Sequence, residues 1–162
     1  MRTVRYWIVS HSRGMEIFYT AVEWLFVKLD PVWRAIGYRR MERPMARIEK
    51  VIKGFLFDCQ MCGQCVLSET GMSCPMNCPK TLRNGPCGGV RANGNCEVVA
   101  DMRCVWVEAA RGARNMKNHQ LIDTIQLPVE SNLRGLSTMM KVARQKAEQQ
   151  RAIKQEASSG DH

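Results

Sequence analysis

All eight cysteines of this 162-residue chain fall between Cys59 and Cys104, in the order Cys59-x2-Cys62-x2-Cys65-x8-Cys74-x3-Cys78-x8-Cys87-x8-Cys96-x7-Cys104. The segment they occupy is short, rich in turn residues and has little core of its own, so ligated thiols would supply much of its folding energy. The N-terminus begins with positive charge, but its apolar stretch runs only from Tyr6 to Val9 and no small-residue cleavage site follows. No signal peptide is expected, and the chain is expected to be cytoplasmic. In a reducing compartment an even number of close-spaced cysteines points to metal rather than disulfides. Eight thiols are two sets of four.

Two chemistries fit this spacing. Three thiolates at successive x2 spacings let one loop wrap three corners of an iron-sulfur cubane, with a fourth arriving from elsewhere, often before a proline as in Cys78-Pro79. Ferredoxin spacing would place that fourth cysteine at position 69, which is Glu. Zinc is the rival, because Cys59 with Cys62 and Cys74 with Cys78 form C-x2-4-C knuckles of the kind that build tetrahedral thiolate sites. No histidine lies between Cys59 and Cys104, so a centre made from this segment alone is all thiolate.

The cysteines divide the chain into a helical N-terminal arm (1–57), a cysteine-rich domain (58–106), a helical and extended C-terminal arm (107–154) and a disordered tail (155–162). In the first arm Ile17, Ala21, Leu25 and Leu29 share one helical face, with Phe18, Val22 and Phe26 beside it, so 14–29 reads as an amphipathic helix that packs on its neighbours or a partner. Asp30-Pro31 supplies an N-cap and an N1 proline for a second helix that Gly37 ends. A third helix is expected from Pro44 to Phe57, with Met45, Ile48, Ile52 and Phe55 on its core side and Val51 adjacent. Asn93-Gly94, between Val90–Ala92 and Cys96–Val99, signals a type I′ hairpin. Beyond Cys104 a helix is expected over 105–116, an extended run over 119–128, and a polar helix from Ser131 or Asn132 to Lys154. The expected fold class is therefore a small cysteine-rich, metal- or cluster-binding domain of irregular loops with one β-hairpin, flanked by α-helical arms.

Composition and the missing motifs narrow the function. Apolar runs are far shorter than the ~20 residues that span a bilayer, so no membrane span is expected. The formal net charge is +9. It is concentrated in the arms, with +5 over 1–58, +1 over 59–104 and +3 over 105–162, and it favours an acidic partner. Nucleic acid is not the expected partner, because the basic residues are scattered and accompany no reading module. The radical S-adenosylmethionine spacing fails, since Thr81 stands where Cys74-x3-Cys78 would need its third cysteine, and no haem-attachment, dinucleotide or Walker motif occurs. His11, His119 and His162 read as surface or packing residues, Trp33 and Trp106 as core or interface aromatics, and Glu69 as a hydrogen-bonding loop residue. No acid-base pair or nucleophilic triad is present, so an enzyme acting alone is not expected and no catalytic residue is assigned.

The run Phe57-Asp-Cys59-Gln-Met-Cys62-Gly-Gln-Cys65-Val-Leu-Ser-Glu-Thr-Gly71, followed by Cys74-Pro-Met, Cys78-Pro-Lys80, Arg83-Asn-Gly-Pro-Cys-Gly-Gly89, Asn93-Gly94-Asn-Cys96-Glu-Val98 and Cys104-Val-Trp106, resembles a known module. It is similar to the C-terminal cysteine-rich domain of certain bacterial methylenetetrahydrofolate reductases, which is fused behind a flavin-bearing TIM barrel or made as a separate small subunit. The likeness covers 57–106 and, more weakly, the preceding helix. It implies that this chain is the stand-alone form. It implies further that Cys59, Cys62, Cys65, Cys74, Cys78, Cys87, Cys96 and Cys104 are metal ligands, with Gly85, Gly88 and Gly89 giving the backbone room to turn. FMN or FAD and the folate would lie on the barrel partner.

Two readings follow. In the first, the chain is an electron-transfer subunit with two 4Fe-4S clusters, and electrons pass from a donor such as ferredoxin to the partner's flavin, which interconverts 5,10-methylene- and 5-methyltetrahydrofolate. In the second it is a structural zinc module that stabilises the reductase or docks it to another one-carbon protein such as a corrinoid methyltransferase, with no electron transfer.

Overall fold

The computed structural model describes residues 2–159. Among these are six α-helices: α1 (Arg2–Ser10), α2 (Ser12–Lys28), α3 (Asp30–Ile36), α4 (Tyr38–Phe57), α5 (Val105–Ala113) and α6 (Thr138–Ser159). Short 3-10 turns occur at Pro75–Asn77, His119–Asp123 and Ser131–Leu133. The loops between α4 and α5 hold every cysteine and are clasped from both sides by the helices.

The first helix had no counterpart in the sequence reading. It packs against α4 and α5 and buries Ile8 and Val9 completely. His11 breaks the chain between α1 and α2, and the buried Ser12 hydroxyl then donates to the Gly112 carbonyl at 2.7 Å, tying α2 to α5. Gly37 ends α3 as expected, at φ 96°. Asp30 is not the N-cap of that helix. It is buried, and its carboxylate accepts the Tyr38 hydroxyl at 2.6 Å and pairs with Arg34 at 3.0 Å and Arg151 at 3.5 Å.

The fourth helix starts at Tyr38, before the expected Pro44, which lies inside it. A proline this near a helix N-terminus forgoes one backbone bond, to Arg40, and tertiary bonds offset that loss. Tyr38 is held by Asp30, and the Glu42 carboxylate accepts the Ser137 N–H at 2.6 Å. The expected core face of this helix is turned outward. Ile48, Val51, Ile52 and Phe55 are each more than half exposed, while Ala46, Glu49, Lys53 and Phe57 are buried. On α2, Ile17, Phe18 and Leu25 are likewise exposed, so the apolar stripe there is only partly covered.

The expected β-hairpin is absent: no strand occurs among the described residues, and the fold is helical. The Arg91–Gly94 turn does form, with the Gly94 N–H on the Arg91 carbonyl at 2.8 Å. The Arg91 N–H also donates to the Asn95 carbonyl at 2.9 Å, but the pairing does not continue into a ladder. Asn95 makes an isolated bridge to Arg103, and the Cys96 N–H donates to the Met102 carbonyl at 2.8 Å. Burying Cys96 closes 96–102 into a loop of its own, which leaves no second strand for a ladder.

The later elements shift less. The fifth helix stops at Ala113, and 119–123 is a 3-10 turn before the chain extends at Thr124. Ser131–Leu133 is a separate turn, and α6 begins after Gly135 (φ 79°), where the Ser137 hydroxyl accepts the Met140 N–H at 3.2 Å as an N-cap. Met139, Met140, Ala143 and Ala147 form its buried face. It runs to Ser159; the last part of the expected tail, 160–162 including His162, lies outside the described residues.

Candidate functional site

The left-handed residue Asp58 (φ 55°, ψ 45°) stops α4 and delivers Cys59 at its end. The loop that follows curls tightly, with Met61 and Gly63 also at positive φ. Gly63 is required here for two reasons: its φ is 76°, and a Cβ would run into the backbone carbonyl of Leu133, which crosses directly over the loop. The Gly135 N–H fixes that crossing by donating to the Met61 carbonyl at 2.9 Å.

These turns gather Cys59, Cys62, Cys65 and Cys74 around one cavity, which Arg83 and Thr138 also line. The remaining four, Cys78, Cys87, Cys96 and Cys104, line a second cavity with Val90, Met102 and Trp106. The eight thiols thus divide four and four, without interleaving along the chain. The Pro75–Asn77 turn lies between the last cysteine of the first set and the first of the second. All eight are free thiols. Cys62, Cys74, Cys96 and Cys104 are buried, and Cys87 is exposed. Among the described residues, no three His, Cys, Asp or Glu side chains are grouped as the ligands of a single metal ion.

Two cations that sequence reasoning missed stand beside the thiols of the first cavity. Lys53 is 4% exposed, and its ammonium donates to Glu49 at 2.6 Å, to the Tyr19 hydroxyl at 3.2 Å and to the Cys65 sulfur at 3.7 Å. Tyr19 donates to the same sulfur at 3.2 Å. The far oxygen of Glu49 accepts the Ser137 hydroxyl at 2.7 Å, so the cap of α6 and the thiol loop share one polar network. On the other side the Arg83 guanidinium stands 3.9 Å from the Cys62 sulfur and 3.4 Å from the Gln64 carbonyl, while its Nε is buried without a partner. The one signal for Lys53 in the sequence was Glu49 four residues before it. It was masked by the stronger apolar periodicity on the outer face.

Electrostatics at the first cavity follow from burial. Burial pushes the Cys59 thiol up to about 11 against one backbone N–H bond, and the Cys74 thiol up to about 12. Burial alone would lower the Lys53 pKa, but the Cys65 sulfur, Tyr19 and Glu49 together raise it above the ordinary range. Burial, followed by Cys65, raises Tyr19. Lys53 is thus held as a cation.

The second cavity includes the exposed Cys87. Cys87 donates to Glu97 at 3.4 Å, and Glu97 also pairs with Lys80. The Trp106 indole N–H donates to the Leu82 carbonyl at 3.1 Å, closing one wall. Gly85 (φ 114°) and Gly88 (φ 79°) supply left-handed turns in open surroundings, whereas Gly89 is crowded by the Glu97 carboxylate. Glu69 is a hydrogen-bonding loop residue, accepting from Gln126. His11 stacks on Trp7, and His119 is exposed. Trp106 is 7% exposed, while Trp33 is half-buried and donates to the Phe26 carbonyl.

Six helices clasping a loop segment whose thiols line two four-cysteine cavities define a small all-α cysteine-cage module. The chain belongs to the methylene-tetrahydrofolate reductase C-terminal family, whose description matches residues 38–132, more than half of the sequence. The match begins at the first residue of α4 and includes all eight cysteines, together with Lys53 and Arg83. No similar chain is found among curated proteins or solved structures. No helix among the described residues is long and apolar enough to cross a membrane.

Proposed function

We propose that this chain is the centre-bearing accessory part of a methylenetetrahydrofolate reductase, with two 4Fe-4S clusters ligated by Cys59, Cys62, Cys65 and Cys74 and by Cys78, Cys87, Cys96 and Cys104. The observation that carries this reading is the division of the eight thiols, four to a cavity, in a chain of this family. When bound, such clusters supply one-electron transfer between protein partners.

The chain's own residues fit that role. A thiolate-ligated cluster is anionic, and the buried Lys53 ammonium and the Arg83 guanidinium with its unpartnered Nε supply positive charge beside Cys65 and Cys62. Leu67, Val66 and Met76 exclude water from the first cavity, and Val105, Met102 and Trp106 do so in the second. Cys74 and Cys78 are four residues apart, so their Cα atoms stand no farther apart than about 14 Å. That closeness suits a relay. Electrons would move between an external donor, such as ferredoxin, and an FMN or FAD held with the folate on a barrel partner. The exposed apolar side chains of α2 and α4, among them Phe18, Ile52 and Phe55, are a surface of the kind that a subunit buries against its partner.

The test is metal analysis of the chain purified without oxygen, together with its visible spectrum. About eight iron and eight acid-labile sulfide per chain, the content of two cubanes, supports the reading. Stoichiometric zinc without colour overturns it, and makes the chain a structural module that stabilises the reductase or docks it to another one-carbon protein such as a corrinoid methyltransferase.

A further inference from the structure

A cleft of about 550 Å³ opens beside the first thiol cavity, lined by Arg43, Arg47, Lys50, Cys59, Gln60 and Arg134. Two chain segments far apart in sequence build it. Arg43, Arg47 and Lys50 come from successive turns of α4, and Arg134 arrives on the strap that the Gly135–Met61 bond and the Gly63 contact press onto the thiol loop. All four cations are exposed, and none is ion-paired among the described residues. No carboxylate lines the cleft. The two acids of α4 that adjoin these cations are engaged elsewhere: Glu42 accepts the Ser137 N–H, and Glu49 is buried and engaged by Lys53 and the Ser137 hydroxyl. Four unneutralised cations around an open cleft form a focused positive field, of the kind that steers an anionic surface. Cys59 is half-buried and lines both the cleft and the first cavity, so the two meet at this thiol.

We propose that this cleft docks the carboxylate-rich face of a small, acidic electron-carrier protein, and so marks the port through which electrons enter or leave by the first centre. The proposal rests on the electron-transfer reading above. When the reduced carrier delivers an electron, it is oxidised and the chain's centre is reduced by one electron, with no bond made or broken and no proton moved. Direct approach matters because electron tunnelling falls steeply with distance, and Cys59 is the cysteine that the cleft exposes.

The test uses the full chain, purified without oxygen, with a reduced bacterial two-cluster ferredoxin as the probe. Arg47→Glu with Lys50→Glu is compared with Arg13→Glu with Lys117→Glu, an equal change of charge at exposed residues that do not line the cleft. Binding by calorimetry and the initial rate of bleaching of the visible absorbance are both read, with dithionite as a small reductant. The cleft pair is expected to weaken binding and slow reduction by ferredoxin at least about tenfold, while the other pair stays near wild type; added salt should bring wild type toward the cleft variant. Metal content and the dithionite rate should not change. Equal losses in the two pairs, or none in the cleft pair, overturn the proposal. A chain that carries zinc alone fails the electron-transfer reading, and calorimetry then decides the dock by itself: ferredoxin binding lost only in the cleft pair supports it, and no binding at low salt overturns it.

Discussion

Lys53 is the residue on which the first thiol cavity turns. Its ammonium and the Glu49 carboxylate form an ion pair whose side chains are only 6% and 5% exposed, and each partner also binds a neighbour. Removing one member of such a pair leaves the other charge buried alone. Lys53→Met should cost about 3 kcal/mol in denaturant unfolding, and adding Glu49→Gln should recover part of that loss. A cost no greater in the single variant than in the double would mean that the pair is not coupled. The thiols make a second prediction, for the metal-free chain. Raised thiol pKa values mean that the folded state holds those protons more tightly than the unfolded one. Their contribution is therefore full below the ordinary value of 9.0, and is lost as pH rises through about 11 for Cys59 and 12 for Cys74. Unfolding curves between pH 8 and 12 should show that decline, and loading with metal, which displaces the protons, should abolish it. The eight cysteines themselves were legible from their letters and spacing. Lys53, Tyr19 and Arg83 were not, because a side chain's value to a thiol depends on what the fold brings within 4 Å of it.

At the scale of elements, the helices were read better than the loops, and the faces of helices worst of all. Gly37 and Pro31 marked the ends of α3 because a positive-φ glycine and an early proline act locally, whereas Asp30, expected as the cap, is the first residue of the helix and is buried. The face of α4 was inverted because periodicity reports where apolar residues lie, and not which side the protein turns inward. Here an ionic network occupies the inside, and Ile48, Val51, Ile52 and Phe55 are left outside. The hairpin failed for a related reason: Asn93-Gly94 did make its turn, but burying Cys96 claimed the residues that would have paired. The crossing of 131–137 over the thiol loop makes a sharper prediction. Gly63→Ala demands both a left-handed alanine and displacement of the Leu133 carbonyl, so it should destabilise by about 2 kcal/mol or more and expose the strap to limited proteolysis. Gly85→Ala, in open surroundings, pays only the conformational penalty of its positive φ, about 1 kcal/mol. Similar losses in the two variants would remove the crossing from the explanation.

For the whole molecule, the proposed two-cluster reading together with the four-and-four division predicts that loss of metal is separable. Cys62→Ser should remove about half of the iron and leave the second centre's spectrum, and Cys87→Ser should do the reverse, as expected of two independent four-thiolate sites. Loss of all metal from either variant would mean that the cavities share ligands. Two sets of four thiols were legible in the count, but the partition was not: the proline after Cys78 offered that cysteine as the fourth of the first triplet, and the first cavity takes Cys74 instead. Those two cysteines flank one 3-10 turn, with Cys74 at its start and Cys78 at its end. Because the sets do not interleave, the order of synthesis is also the order in which the two thiol sets become available. The ribosome releases all four thiols of the first cavity before any of the second, so a nascent chain holds its first thiol set complete before the second begins. Yet the strap and the Ser137 cap that brace this earlier cage emerge only after the second set has been made. A young cage must wait, unbraced, for a clasp that is still being translated.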